Sequence, residues 1–398
     1  MYINNNFHLT YCTNIHPGKN WEINFENLKR YVPIIKEKIS PDKKFGLGLR
    51  LSNQASIELK LNNNLSDFKN WLNNENIYIF TMNGFPYGNF HGEKVKDLVH
   101  APDWTKKERL VYTKRLFKQL TILIPDEISG GISTSPISYK HWFKNIKNKK
   151  MAISEGAINM SKIAIQLYKI EQETGKYMHL DIEPEPDGLL ENSDEVINYF
   201  NNYLLPTGIT LMQKELGLKT SEAGSYLKRY LTVCYDICHF SLAYENPIDT
   251  FEKFKKNEIK IGKIQVSSAL KILFKNSSDQ SIWKSLKEFD EPIYLHQVTE
   301  LKNNIVKTYS DLPDLFVNKK SFKELRAHFH VPIFLEKFNH LYSTQDQIIN
   351  VINYLKINPK ICDHLEVETY TWEVLPSNLK TELSSSIVRE IKWLINQL

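Results

Sequence analysis

The stretch Leu231 to Glu245, LTVCYDICHFSLAYE, decides the fold. Its first half is short, apolar and β-prone, which is typical of a strand buried in a parallel sheet. Asp236 and His239 follow at the point where this strand would leave the sheet. Burying an ionised Asp costs several kcal/mol unless a cation or hydrogen bonds offset it, and a divalent metal bound by carboxylate and imidazole is one such partner. The alternative is an Asp that caps the next helix, beside a hydrogen-bonded core His.

The same pattern of a strand followed by a helix recurs along the chain. Strands are predicted at 8–14, 45–52, 77–82, 127–138, 177–186, 231–239, 260–268 and 364–371. Helices are predicted at 21–39, 57–72, 107–123, 156–175 and 344–355. About eight such units predict one α/β domain over residues 1–398, a closed (β/α)8 TIM barrel. Residues 270–326 are predicted to form an irregular insertion between the seventh and eighth strands. The alternative is a doubly wound open sheet, but no glycine-rich phosphate loop follows the first strand.

Composition narrows the class of protein. The 398 residues are 41% hydrophobic and 24% charged, as in a soluble protein with a substantial core. A net charge of +5 permits an anionic ligand but falls short of a nucleic-acid footprint. The basic run 144–150, KNIKNKK, is interpreted as a solvated helix face or loop. No apolar run reaches the roughly 18 to 20 residues of a membrane span. With four cysteines in apolar runs and no visible signal peptide, we expect a cytoplasmic protein.

Acids, imidazoles and one amide collect at the predicted exits of the later strands. The C-terminal ends of barrel strands carry the active site in this fold. These exits supply Glu183, Asp236, His239, Gln265, His330 and Glu368. Packing does not explain a polar side chain at nearly every late exit, so the pattern predicts a metal site. Glu185, beyond Pro184, is expected to face solvent or a basic residue.

Cys234 to His239 resembles the Asp-x-x-His strand exit of the xylose isomerase-like barrel superfamily, which includes sugar isomerases, sugar epimerases and endonuclease IV proteins. Three metal carboxylates of that superfamily are matched by Glu183, Asp236 and Glu368. The run 328–330, HFH, resembles an element before the last strand of the endonuclease branch. Gln265 stands where the superfamily usually has a metal-binding His, and the fourth strand lacks the His of the endonuclease branch. The resemblance therefore implies a single-metal or remodelled site.

Across most of its length the chain resembles the EboE family of metabolite traffic proteins. The shared stretches are HLTYCTNIHPG, RYVP, FGLGLRLS, FTMNGFPYGNFHG, APDW, HLDIEPEPDG, HFHVPIF and HLEVETYTWEVLP. The resemblance implies a barrel encoded among genes that move or mature a prenylated or pigment-like secondary metabolite. Expected partners are a small-molecule metabolite and other proteins of that pathway, without nucleic acid. The resemblance gives no reaction.

The first function hypothesis is a metal-dependent isomerase or epimerase that acts on a small polyoxygenated metabolite. The cation would be Mn²⁺, Zn²⁺ or Mg²⁺, and it would polarise a carbonyl or hydroxyl of the substrate. Its expected ligands are Glu183, Asp236, Gln265, His330 and Glu368. The epimerase relatives imply that Glu183 and Glu368 also act as acid and base, and His239 would orient a hydroxyl or complete the metal shell.

Five side chains are expected to contact the substrate: Arg50, Phe85, Tyr87, Gln265 and Trp372. Arg50 would hold a carboxylate or phosphate with two parallel hydrogen bonds, although a surface ion pair is the alternative. The aromatic rings would form the pocket wall or pack in the core. The second function hypothesis is a metal-binding barrel that carries or chaperones a metabolite without turnover. The third is an endonuclease IV-like nuclease.

Overall fold

Eight parallel strands form the centre of the molecule. The computed structural model describes residues 1–92, 94–274, 280–317, 322–377 and 379–398. The strands are β1 Phe7–Tyr11, β2 Phe45–Arg50, β3 Ile77–Asn83, β4 Gly130–Thr134, β5 Met178–Ile182, β6 Leu231–Asp236, β7 Ile261–Val266 and β8 His364–Val367. Each lies within or overlaps a strand predicted from the sequence, and the predicted α/β barrel is confirmed.

The strands follow one another around a nearly closed barrel. Hydrogen bonds join them in the order β1-β8-β7-β6-β5-β4-β3-β2, and a short strand, Tyr2–Ile3, pairs antiparallel with β1. The remaining seam, between β2 and the end of β1, is joined by a parallel bridge from Cys12 to Gly48. A Cβ on Gly48 would lie 2.8 Å from the carbonyl oxygen of Tyr11, so this close approach requires glycine.

Helices surround the barrel. They are α1 Trp21–Ile39, α2 Asn53–Glu58, α3 Asn64–Asn74, α4 Lys107–Leu123, α5 Ile146–Thr174, α6 Ser193–Tyr199, α7 Leu205–Leu216, α8 Thr220–Tyr230, α9 Ile237–Leu242, α10 Pro247–Lys256, α11 Gln280–Lys287, α12 Pro313–Val317, α13 Gln345–Ile357 and α14 Leu383–Gln397. Short 3-10 turns span Thr13–Ile15, Lys96–His100 and Lys140–Trp142, and a π-helical turn spans Phe200–Leu204. None of the described helices is both long and apolar enough to cross a membrane.

Two predicted helices differ from the structure. The predicted helix 57–72 is two helices, because the chain turns at 59–63, where Asn62 has a positive φ. The predicted helix 156–175 begins ten residues earlier, at Ile146, with Asn145 as its N-cap. Its first turns are polar and exposed, so they lack the apolar spacing on which the prediction relied.

The insertion between β7 and β8 is more regular than its sequence indicated. It holds a small antiparallel sheet with strands Leu270–Leu273, Val298–Lys302, Ile305–Tyr309, Glu324–Ala327, Lys337–Phe338 and Leu341–Ser343. The prediction of an irregular insertion at 270–326 was therefore wrong in its described part, and the sheet extends to residue 343. Residues 275–279 and 318–321 of that prediction lie outside the described residues.

Candidate metal centre

Three carboxylates converge at the C-terminal end of the barrel. Glu183 follows β5, Asp236 ends β6 and Glu368 follows β8. One oxygen of each lies within 4.8 Å of the others, and the three residues are 2%, 0% and 4% exposed. Because parallel strands of a barrel end on the same face, residues far apart in the sequence meet here. Three buried acids at this separation form a strongly negative site.

Asp236 has one oxygen in use and one without a partner. Its Oδ1 accepts hydrogen bonds from the backbone N–H of His239 at 3.1 Å and from the hydroxyl of Ser267 at 2.7 Å. Within the described part of the chain, its Oδ2 has no hydrogen-bond partner, and neither does Oε2 of Glu183. The helix-cap interpretation of Asp236 is therefore confirmed, while its second oxygen remains available to a cation. Buried oxygens without donors fit a bound ion, since each otherwise carries its full desolvation cost.

Burial and mutual repulsion shape the ionisation of this cluster. Burial, then the charge of Asp236, raises the pKa of Glu183 well above its usual range. Burial, then the charges of Glu183 and Asp236, does the same to the pKa of Glu368. Burial also opposes ionisation of Asp236, but His239, His330 and the Ser267 hydroxyl hold its pKa below the usual value. Without a cation, burial and mutual repulsion therefore oppose the simultaneous ionisation of all three acids.

His330 reaches the carboxylates from the insertion. Its Nδ1–H donates to the backbone carbonyl of Glu368 at 2.7 Å, while its Nε2 has no partner among the residues that the structure describes. One ring nitrogen of His330 lies within 4.8 Å of ligand atoms on Asp236 and His239. Burial lowers the pKa of His330, which favours the neutral imidazole that metals bind. A ring fixed by a backbone carbonyl, with Asp236 close by, has the usual arrangement of a metal-binding His.

Two asparagines hold Glu368 from the other side. The side-chain amides of Asn14 and Asn83 donate to Oε1 of Glu368 at 2.8 and 3.0 Å. The orientation of Asn83 is fixed because its Oδ1 accepts the backbone N–H of Phe85 at 3.0 Å. Oε1 of Glu368 is therefore held by two donors, and one oxygen of this carboxylate lies within 4.8 Å of the other two acids. Oδ1 of Asn14 has no partner among the described residues and is left for a ligand in the cavity.

A second group of potential ligands lies beside the first. Nε2 of His239 and Nε2 of His328 face each other at 3.0 Å. Each ring donates its Nδ1–H to another group. His239 donates to the Pro184 carbonyl at 3.0 Å, and His328 donates to Oε1 of Gln297 at 2.8 Å. The two facing nitrogens thus both present lone pairs, an arrangement that needs a shared proton or a cation. A carboxylate oxygen of Glu185 lies within 4.8 Å of both rings.

Most of the candidate ligands line a small covered cavity of about 60 Å³, which includes Glu183, His239, His330 and Glu368 but not Asp236. Its floor is polar, and its other wall is formed by Phe85, Phe90, Val95, Val99, Leu295 and Tyr370, among others. The roof combines the segment after β3 with the insertion, since the N–H of Val95 donates to the Ile293 carbonyl at 2.9 Å and the Tyr294 hydroxyl donates to the Phe90 carbonyl at 3.1 Å. This space holds on the order of five water molecules, so it suits a small ligand.

Several residues predicted to bind substrate or metal lie outside this cavity. Gln265 is buried within the barrel, where its Oε1 accepts the Cys234 thiol at 3.2 Å. Arg50 is buried, and its guanidinium donates to the backbone carbonyls of Gly18, Pro86 and Gly88. Tyr87 packs on Tyr112 with ring centroids 5.0 Å apart.

Trp372 is also turned away, because its Nε1–H donates to Glu390 at 3.2 Å. Of the five predicted substrate contacts, the structure brings only Phe85 into the cavity lining. Of the other four, Arg50, Gln265 and Trp372 make hydrogen bonds within the protein, and Tyr87 packs against Tyr112. Glu185, which we expected to face solvent or a basic residue, is 5% exposed, and its Oε1 lies 2.8 Å from Nε2 of His100.

Sequence reasoning missed Asn14, Asn83, Glu185 and His328. The two asparagines follow β1 and end β3, so the strand-exit argument applied to them, but it was restricted to titratable side chains and Gln265. His328 belongs to the HFH run together with His330, but only His330 was predicted as a metal ligand. For Glu185 the flanking prolines gave no signal, since the turn that buries it depends on the whole fold.

No family model and no curated protein sequence matches this chain. Solved structures match over nearly the full length. A xylose isomerase-like TIM barrel protein from Mycobacterium smegmatis in complex with magnesium has a TM-score of 0.50 at 7% identity, covering 100% of this chain and 98% of its own. A D-tagatose 3-epimerase-like protein gives 0.49 at 11% identity, with 98% and 97% covered. An IOLI protein with a zinc atom gives 0.48 at 11% identity, with 98% of each chain covered.

The likeness to the magnesium-bound barrel establishes the fold, which is the xylose isomerase-like form of the TIM barrel. At 7% identity it establishes no activity. The resemblance to the EboE family stays a prediction.

Proposed function

We propose that this protein is a metal-dependent enzyme of the isomerase or epimerase type that acts on a small polyoxygenated metabolite. The observation that carries the proposal is the convergence of Glu183, Asp236 and Glu368 within 4.8 Å, with oxygens that lack partners. A buried cluster of like charges is stable in ionised form only with a cation. With His330 these residues provide three oxygens and one nitrogen, a donor set that suits Mn²⁺, Zn²⁺ or Mg²⁺.

A bound divalent ion would supply Lewis-acid polarisation of a substrate carbonyl or hydroxyl. The protein's own residues would then do the remaining work. Glu183 and Glu368 lie on different strands at opposite sides of Asp236, so they can meet a substrate carbon from two sides as base and acid. Oε2 of Glu183 is unpartnered and therefore free to take a proton, whereas Asn14 and Asn83 hold Glu368 in place. The covered cavity would exclude water from the reacting carbon.

His239 remains our candidate for orienting a substrate hydroxyl. Its Nε2 faces His328 at 3.0 Å, at the edge of the cavity, and a small shift of either ring would turn this nitrogen to a ligand. The resemblance to the EboE family extends the proposal to a pathway that matures or moves a secondary metabolite. Non-catalytic binding of that metabolite is the alternative.

A second candidate function is metal-dependent hydrolysis of a phosphoester. It is favoured by the facing imidazoles of His239 and His328 with Glu185, which could hold a second cation next to the first. Paired ions stabilise both the attacking and the leaving oxygen of such a displacement. Hydrolysis of an abasic DNA duplex or of a sugar phosphate would distinguish it from isomerisation.

The test is solvent exchange at carbon. Isomerisation or epimerisation through a base exchanges a carbon-bound proton with water, so the metal-loaded protein in D₂O should erase a C–H signal of one member of a panel of ketoses, aldoses and cyclic polyols in ¹H NMR. Chelator, Glu183→Gln and Glu368→Gln should abolish the exchange. Glu171→Gln, the same change at a partly buried glutamate that pairs with Arg229 outside the cavity, should retain it. Saturable ligand binding without exchange would replace the proposal with the metabolite-carrier alternative.

A further inference from the structure

A groove on the outside of the barrel collects six basic side chains. It lies between α4 and α5 and has a volume of about 470 Å³. Its cations are Lys60, Lys114, Arg115, Lys118, Lys162 and Lys169. Lys114 and Lys118 lie one turn apart on α4, while Lys162 and Lys169 lie two turns apart on α5. The groove is therefore about 10 Å long, and both of the helices that form its sides contribute lysines.

Carboxylates do not neutralise these cations. Among the described residues, none lies within ion-pair distance of any of the six. The polar contacts that they make are to neutral groups. Arg115 donates to the Ser56 hydroxyl at 2.9 Å, and Lys162 donates to Oδ1 of Asn159 at 3.0 Å. Most surface lysines of a protein find an acid within reach or stand apart from other cations, so six cations together leave a concentrated positive potential.

The cations are close enough to repel one another. Burial lowers the pKa of Lys114, and the charges of Lys162, Lys118 and Lys169 lower it further. These four lysines come from two helices whose packing is fixed by buried apolar side chains, so the backbone positions from which they project are fixed. A bound polyanion would offset the repulsion between the lysines, and their positive charges would attract and hold it.

We propose that this groove is a binding site for a linear oligophosphate. A phosphoanhydride chain carries negative charge on every phosphate, so three phosphates place several charges within the groove. An acidic helix carries single charges spread along turns of 5.4 Å, so its charge is less concentrated than that of three linked phosphates. Lysine ammonium groups bind phosphate as point charges without demanding one geometry. The site lies apart from the cavity of the metal centre, and it stands independently of the function proposed there.

The groove would bind the phosphates of a ligand and would not contact a nucleobase. Its described lining contains Val111, Ile165 and Gln166 besides the cations, and it has no aromatic ring on which a nucleobase could stack. Inorganic tripolyphosphate and the triphosphate of ATP present the same chemistry to it. The two sources are separate arms of the test, and equal affinity for both would show that the base is not read.

The test is a calorimetric titration of the protein with sodium tripolyphosphate and with ATP at 150 mM salt. Since oligophosphates chelate divalent ions, it is run with chelator and again with excess Mg²⁺. The account predicts saturable binding in both conditions, weakened by higher salt. Lys114→Gln with Lys162→Gln should weaken binding by roughly tenfold or more. Lys255→Gln with Lys360→Gln, the same change on the other side of the molecule, should leave it unaltered.

Thermal unfolding distinguishes a variant that has lost binding from one that does not fold. Without ligand the Lys114→Gln, Lys162→Gln protein should melt at or above the wild-type temperature, because repulsion has been removed. Tripolyphosphate should raise the melting temperature of the wild type and leave that of this variant unchanged. Absence of saturable binding, an equal loss in the Lys255→Gln, Lys360→Gln control, or tighter binding of a glutamate-rich peptide would overturn the proposal. Each outcome leaves the metal centre untouched, so the two proposals fail separately.

Discussion

At the scale of single residues, neutral side chains organise the charged ones. Glu368 is held by two carboxamides, which both donate to its Oε1. A carboxylate that accepts two N–H groups is restrained in rotation and favoured in its ionised form. Asn14 and Asn83 thus position Glu368 beside Asp236 and Glu183. They do so without adding charge to a site that already holds three acids.

Asn83→Leu tests this arrangement. The change keeps the approximate volume and removes one donor to Glu368, so divalent-metal affinity should fall by roughly tenfold, as for other residues that support a metal ligand. Asn159→Leu is the control, because Asn159 also donates one buried hydrogen bond, to the Trp104 carbonyl at 2.8 Å, in a different part of the molecule. Isothermal titration with Mn²⁺ and Zn²⁺ measures both. Equal affinities in the two variants would mean that the asparagine serves only the fold.

At the scale of elements, helix α14 fastens the insertion to the end of the barrel. Its buried Glu390 accepts hydrogen bonds from the Thr369 hydroxyl at 2.7 Å, the Trp372 indole at 3.2 Å and the backbone N–H of Ile333 at 3.1 Å. These donors belong to the loop after β8 and to the chain just beyond His330. The carboxyl group thereby fixes the two segments that deliver Glu368 and His330 to the candidate metal centre.

Glu390 makes this fastening dependent on pH. Burial raises its pKa from 4.5 to about 7, so the folded protein binds a proton that the unfolded chain has already lost between these values. Stability therefore falls as pH rises from 5 to 8, by about 3 kcal/mol at most. Glu390→Gln keeps an acceptor and removes the charge, so its stability relative to wild type should increase over this range. Denaturant unfolding at pH 5, 6, 7 and 8 measures the difference. A difference independent of pH would contradict the assignment.

The elements also show where sequence reasoning holds and where it fails. Apolar runs placed all eight barrel strands, because a strand buried on both faces needs such a run. The start of α5 was not predicted because its first turns are polar and project into solvent. The sheet of the insertion was not predicted because its strands are short and half-exposed, and their pairing partners lie far apart in sequence.

At the scale of the whole molecule, barrel closure turns distant residues into neighbours. Glu183, Asp236 and Glu368 could be predicted as a group because every parallel strand delivers its C-terminal end to one face. Arg50 and Trp372 could not be excluded, since a sequence shows where a side chain leaves the backbone but not which carbonyl or carboxylate takes its hydrogen bonds. The structure resolves this because both residues are committed to groups of the protein itself.

The central claim is that the three carboxylates form a metal centre, and a melting series tests it most directly. Wild type, Asp236→Asn and the control Asp249→Asn on exposed α10 are melted with chelator and with Mn²⁺, Zn²⁺ or Mg²⁺. At a hundredfold excess over Kd, a bound ion should stabilise wild type by about 2.7 kcal/mol. Asp249→Asn should respond like wild type, whereas Asp236→Asn retains the helix cap, loses a ligand charge and should respond much less. No metal-dependent shift in wild type, or an equal shift in Asp236→Asn, would contradict the account.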